Sequence, residues 1–158
     1  MTIIARNAAE LQRAAMQKFQ DIVAKEGLRF KEILREELLK YYNSYEPSIY
    51  NRSWRLFHSI RISPVQIRDN SVAVCIYFDQ NLSYGLSLFG GIPGFKPILI
   101  NYGWRWRKKT GPYRLGYYQG FGFVESAIDR WNRDNKHNLR IESIATYGGR
   151  IVAQQQIN

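Results

Sequence analysis

Cysteine is nearly absent from this 158-residue chain: Cys75 stands alone, so no disulfide can close within it. It sits in the apolar run VAVCIYF, residues 72–78. A reactive thiolate needs a polar, electropositive, partly open setting, so a buried and inert Cys75 is expected. Histidine is almost as scarce, with only His58 and His137, and both are expected in surface or packing roles. A metal site built from clustered His, Cys and carboxylates has little to draw on. No HExxH, CxxC, GxSxG or GxxxxGK[ST] occurs. GGIPGFK, residues 90–96, is glycine-rich but lacks a hydroxyl residue after Lys96. No apolar run approaches the ~18 residues of a membrane helix. The opening MTIIARNAAELQRAAMQKF has no apolar core followed by a small-residue cleavage site. No secretory signal is read there, and the chain is expected in the cytoplasm where it is made.

Acids thin out along the chain. Residues 1–42 hold eight Lys/Arg against six Asp/Glu; residues 43–158 hold fifteen against seven, and the total is +10. The basic excess belongs to the second part and favours an anionic partner: nucleic acid, an acidic protein surface or anionic lipid. Glu125 and Asp129 are one helical turn apart, a spacing that acid–base or metal work can use. They read more simply as the wet side of an amphipathic helix. No catalytic constellation and no cofactor is read from the chain. Nuclease chemistry would need more converging acids.

The length fits one domain with a proper core. Residues 8–42 carry a helical stripe of Leu11, Ala15, Phe19, Ile22, Phe30, Leu34, Leu38 and Tyr41. Glu26 and Gly27 interrupt it, so a bend or break is expected near Gly27. Glu32, Arg35, Glu36 and Lys40 form a solvated face. A helix of about 50 Å is long for so small a domain; it reads as a core helix, with partner docking as the alternative. SIRI and PVQI flank Ser63-Pro64 as a bent or edge strand. RDNS, residues 68–71, reads as a turn, and the apolar 72–78 as a central strand. FGFVESAIDRWNRDNK, residues 121–136, reads as a second helix in which Asp129 and Arg133 can pair. LRIESIATY and RIVAQQQ, joined by Gly148-Gly149, close the chain as a hairpin. The expected class is α+β with an antiparallel sheet. A single domain, 1–158, divides into a helical arm (1–42), a corner with two strands (43–79), a glycine-rich loop and hairpin (80–120), and a helix with closing strands (121–158).

Nine of the twelve glycines fall within residues 80–122. Within that segment lies ILINYGWRWRKKTGPYRLGYY. Ile98, Ile100, Tyr102, Trp104 and Trp106 alternate with Leu99, Asn101, Gly103, Arg105 and Arg107, a period of two. With KKTGP as the turn, a β-hairpin is expected from about 98 to 119, swinging on its flanking glycines. Trp104, Arg105, Trp106, Arg107, Lys108, Lys109 and Arg114 are the candidate interface residues. Aromatic rings can stack bases while guanidinium groups meet phosphates. The same residue types dominate protein–protein hot spots. They can also simply pack on the domain's own sheet. All three readings stay open at this point.

YYNSYEPSIYNRSWRLFHSI, residues 41–60, is too rich in tyrosine for a plain linker. Pro47 stops the helix and extends Glu46. Tyr42, Tyr45 and Tyr50 can lay rings on the core, and Arg52 can bind the corner's ends. The pattern Y-x-x-Y-x-P-x-x-Y-x-R-S-x-x-L-x-x-S-I, from Tyr42 to Ile60, resembles one in small neck proteins of tailed bacteriophages, the head–tail joining or tail-completion (minor structural protein) family. Ser53 stands where that family usually shows Thr. The corner residues carrying the resemblance are Tyr42, Tyr45, Pro47, Tyr50, Arg52, Ser53 and Leu56. The element order, from long helix to closing strand, also fits.

The resemblance implies a non-catalytic virion adaptor that joins the head connector to the tail, or completes the tail, as part of a ring. Its implied partners are a connector or stopper ring, the tail tube or its terminator, copies of itself in a six- or twelve-fold ring, and DNA passing through the channel. No membrane partner is implied. The implied location is the virion, after assembly in the host cytoplasm. Ring contacts need two unlike patches on each subunit; the helix face and the hairpin are the expected pair. A nucleic-acid-binding module using the hairpin is the alternative.

Overall fold

The computed structural model describes residues 7–44, 54–68, 71–85, 94–107, 115–147 and 150–157. The first element is one uninterrupted helix, α1 (Ala8–Asn43), 36 residues long. Its start is set by Asn7, extended, whose side chain accepts from the Glu10 N–H at 2.9 Å. Its end is closed by Ser44, whose N–H and Oγ both donate to the Tyr41 carbonyl, at 3.2 and 2.7 Å. No break occurs at Gly27. The glycine serves a close approach instead: a Cβ there would lie 2.6 Å from Val74 Cγ1. Burial on α1 runs through Val23, Phe30, Leu34, Leu38 and Tyr42. Leu11 and Phe19 are more than half exposed, so the first four turns stand outside the core.

Beyond the corner, a short helix α2 (Arg55–His58) leads into a long irregular hairpin. Its strands are β1 (Ile60–Ile62), β2 (Gln66–Arg68), β3 (Ser71–Ala73) and β4 (Ile76–Phe78). β1 pairs β4 and β2 pairs β3, both antiparallel, and the register slips by one residue between the two ladders. The cause is Ser63-Pro64. Proline supplies no N–H, so three residues bulge opposite two. Ser63 repairs the gap: its N–H donates to the Cys75 carbonyl at 2.8 Å, and its Oγ accepts from the Cys75 N–H at 2.9 Å.

Residues 72–78 are therefore not a central strand. Val72, Val74, Ile76 and Phe78 are half-buried; Ala73, Cys75 and Tyr77 are exposed. Cys75 lies on the outer face, exposed, contrary to the buried thiol that its apolar neighbours suggest. Apolar residues on both faces of a strand do not guarantee a cover for both.

Further along come α3 (Gln80–Ser83), β5 (Tyr84–Gly85), β6 (Gly94–Phe95) and α4 (Lys96–Tyr102). The remaining elements are β7 (Gly103–Arg107), β8 (Leu115–Gln119), α5 (Phe123–Arg133), β9 (Ile141–Tyr147) and β10 (Arg150–Ile157). The fold is α+β, and every ladder among the described residues is an antiparallel pair of strands rather than part of one wide sheet.

The core forms where α1, α5, α2 and the hairpin meet. Leu38, Phe123 and Ala127 are fully buried, with Leu34, Leu56, Ile60, Ile128 and Trp131 nearly so. Each large side chain buried there contributes ~1.5–3 kcal/mol. Polar contacts fix the pairing of α1 with α5. Trp131 Nε1 donates to Glu26 Oε2 at 3.1 Å, Arg29 bridges Glu26 and Asp134, and Arg130 reaches Glu36 at 2.6 Å and Glu37 at 3.3 Å. Glu37, 4 % exposed, is also held by Lys40 at 2.6 Å. The pair expected between Asp129 and Arg133 is replaced by this Arg130 bridge. Arg130 is the residue of α5 that faces α1.

Candidate interface hairpin

The hairpin is shorter at its base than its alternating sequence predicts. Residues 98–102 belong to α4, and the ladder runs only from Gly103↔Gln119 through Trp104↔Tyr118, Arg105↔Tyr117 and Trp106↔Gly116 to Arg107↔Leu115. Pro97 explains the difference. It occupies the second position of α4, where a missing N–H costs nothing and the fixed φ favours helix. Trp104, Arg105, Trp106 and Arg107 do lie together on one strand. Lys108, Lys109 and Arg114 fall outside the described residues.

The base of the ladder is anchored tightly around Asn101. Asn101 is 4 % exposed. Its Nδ2 donates to Glu125 Oε1 at 3.0 Å and Oε2 at 2.7 Å, and its Oδ1 accepts from the Val124 N–H at 2.8 Å. The Val124 bond satisfies one of the first N–H groups of α5, which no intrahelical carbonyl can reach. Two further backbone bonds tie the same turns: Phe121 N–H to the Ile100 carbonyl at 2.8 Å, and Gly122 N–H to the Asn101 carbonyl at 3.0 Å. Glu125 also accepts from the Tyr102 hydroxyl. Partial burial first, and the neighbouring Glu125 charge second, hold the Tyr102 phenol above its usual pKa.

The glycines at this root do not let the hairpin swing. A Cβ on Gly120 would run into the Asn101 carbonyl and the Tyr102 main chain, so Gly120 marks close backbone contact. Gly122 has φ +67, a left-handed conformation that glycine adopts without penalty. Phe121 packs edge-on to Tyr41 at 5.4 Å, which adds α1 to the anchor. The hairpin's base is therefore clamped to α4, α5 and the end of α1. The sequence carried one usable sign of this, Pro97. Asn101 and Glu125 are 24 positions apart and belong to no motif.

Of the corner residues, the structure describes Tyr42 and Leu56; Tyr45, Pro47, Tyr50, Arg52 and Ser53 lie outside the described residues. Tyr42 and Leu56 are 7 % and 3 % exposed and share the core. Tyr42 meets Trp54 at 5.1 Å, Trp54 meets Phe57 at 6.1 Å, and Arg35 covers the Phe57 ring at 4.5 Å. Trp54 itself has φ 55, a strained value for a non-glycine residue. These two motif residues pack the corner and present no free surface.

A second feature went unseen in the sequence. A cleft of about 570 Å³ lies between α1, residues 72–76, Trp131 and residues 139–142. Val23, Gly27, Phe30 and Val74 line its floor, with Glu26, Arg140 and Glu142 among its polar groups. The described residues hold no group of three or more His, Cys, Asp or Glu placed to bind a metal, and no helix among them is long and apolar enough to cross a membrane. No family model, no curated protein and no solved structure matches this chain.

Proposed function

We propose that this chain is a non-catalytic structural adaptor of a tailed-phage neck, joining the head connector to the tail or completing the tail as one subunit of a ring. The observation that carries the reading is the clamped hairpin. A basic, aromatic strand is held at its base by α4, α5 and α1, as a docking element must be if it is to meet a neighbour in one orientation. Preorganisation of this kind lowers the entropic cost of association. Trp, Tyr and Arg at such a site are the residues that dominate interface energies. The Tyr42–Ile60 corner pattern supplies the family resemblance, and the +10 charge suits an acidic neighbouring ring or DNA in the channel. Arg105→Glu, Arg107→Glu and Lys109→Glu together test the reading. The folded triple variant is expected to leave heads and tails unjoined; normal joining refutes it.

A nucleic-acid-binding module is the second reading, favoured by five cations and no acid between residues 105 and 114. It requires affinity for nucleic acid that falls steeply with salt and depends on those cations. Binding that is weak or insensitive to salt rejects it.

A further inference from the structure

The cleft has an unusual wall. Five consecutive residues, Val72–Ile76, line one side, and four, Leu139–Glu142, line the other. A strand that turns only a side-chain face to a cavity contributes every second residue; consecutive lining residues mean that a strand edge is presented. β3 and β4 pair only with β2 and β1, and β9 only with β10, among the described residues.

Parity shows which main-chain groups face the gap. Ser59–Asp79 and Ser63–Cys75 are hydrogen-bonded opposites. Ile62 and Ile76 therefore form a non-hydrogen-bonded pair, and Ile76 turns its N–H and C=O outward, toward the cleft. An outward row of such groups is a template for one more extended strand. Because α1 lines the cleft as well, the inserted strand needs apolar side chains on the α1 side only. Val72, Val74 and Ile76 lie on that side; Ala73 and Cys75 lie on the outer side.

We propose that this cleft seats strand β7 of a second copy of the chain. The proposal deepens the ring reading, and rests on it for the partner being a copy. Three observations select that occupant. Gly103–Arg107 is extended, and its alternation places Trp104 and Trp106 on one face and Arg105 and Arg107 on the other, which is the two-sided pattern the cleft requires. Next, the cleft is lined by two carboxylates, Glu26 and Glu142, against one cation, Arg140, on a chain whose net charge is +10. Lastly, the hairpin root and the cleft sit at opposite ends of α5. Gly122 caps its start, and Trp131, near its end, lines the cleft. A projection at one end and a recess at the other make a head-to-tail contact, which closes into rings when the rotation per subunit allows.

Cys75 supplies the test. It lies on the cleft's outer lip and is the only cysteine. Adjacent strands hold Cα atoms ~4.5–5.5 Å apart, within disulfide range. In the full-length chain, Arg105→Cys or Arg107→Cys should join Cys75 of another copy under mild oxidation, giving a ladder of covalent oligomers. The reaction is expected to run about tenfold faster than for the surface control Lys136→Cys, which lacks the templated approach. Trp106→Cys, on the opposite face, should behave like the control. In the unaltered chain, Cys75 should react more slowly with a maleimide as concentration rises and copies associate. If the chain self-associates but Arg105→Cys and Arg107→Cys cross-link no faster than the control, the cleft is not the seat, and the ring reading stands. If the unaltered chain stays monomeric at every concentration with Cys75 equally reactive, the seating of a second copy is overturned. The adaptor reading is then judged by head–tail joining alone.

Discussion

The side-chain amide of Asn101 donates to both carboxylate oxygens of Glu125, at 3.0 and 2.7 Å, and its oxygen caps the Val124 N–H. One buried side chain thus ties the entrance of the hairpin to the helix beyond its exit. The amide has no surplus: each of its groups is used. Asn101→Leu keeps the volume and removes every bond, leaving a partly buried carboxylate and a helix N–H without partners. The expected loss is about 2–3 kcal/mol, or roughly 5–10 °C in Tm for a chain of this size. Amide hydrogen exchange in 103–106 and 116–119 should accelerate with it. An unchanged Tm and unchanged protection would show that the hairpin is not held from this root.

Two glycine substitutions should differ in severity. In Gly120→Ala the new methyl meets the main chain of Asn101 and Tyr102, which cannot move without breaking the Gly122 and Phe121 bonds. In Gly27→Ala the nearest atom is a side-chain methyl of Val74, 2.6 Å away. There the helix also gains ~1 kcal/mol of propensity. Urea unfolding should show Gly120→Ala losing about 3 kcal/mol or more, and Gly27→Ala about 1 kcal/mol. The reverse order would contradict the close-contact account of Gly120.

Cys75 is exposed in the folded chain. A single thiol should therefore titrate with Ellman's reagent before unfolding, at low protein concentration, and Cys75→Ser should change stability by less than about 0.5 kcal/mol. A thiol that reacts only after denaturant is added would put Cys75 back in the interior.

The Tyr102 phenol is held above its ordinary pKa by burial and by Glu125. The folded state therefore favours the protonated phenol. That contribution is fully present below pH 10.0, the ordinary value, and is lost as pH rises through the raised one. A phenolate absorbance titration of the wild type against Tyr102→Phe should assign one late-titrating tyrosine to position 102. Stability should fall more steeply above about pH 10 in the wild type than in Tyr102→Phe. Equal slopes would contradict the Tyr102–Glu125 contact.

Local signals carried much of the fold. The expected helix 8–42 is observed as Ala8–Asn43, and the second helix, expected at 121–136, as Phe123–Arg133. Both have apolar residues at three- and four-residue spacing, a signal that needs no tertiary knowledge. Glycine-based expectations did worse. Gly27 reads as a breaker and Gly120 as a pivot; each is a place where two backbones or a backbone and a side chain come close. A sequence shows that a side chain is missing but not what fills the space. Residues 98–102 alternate as a strand would, yet Pro97 and the Asn101 bonds make them helical. For the site, the sequence put Trp104–Arg107 on one strand. The clamp beneath it and the two-edged cleft arise from residues far apart in the chain, and no spacing rule reaches them.

The central claim is that the chain is a structural part of a virion neck. Electron microscopy of lysates from the parent phage with this gene disrupted tests it most directly. The account predicts filled heads separated from tails, or tails of abnormal length, restored by the wild-type chain but not by the Arg105, Arg107 and Lys109 charge reversal. Fully joined, normal particles in the disrupted phage would contradict it.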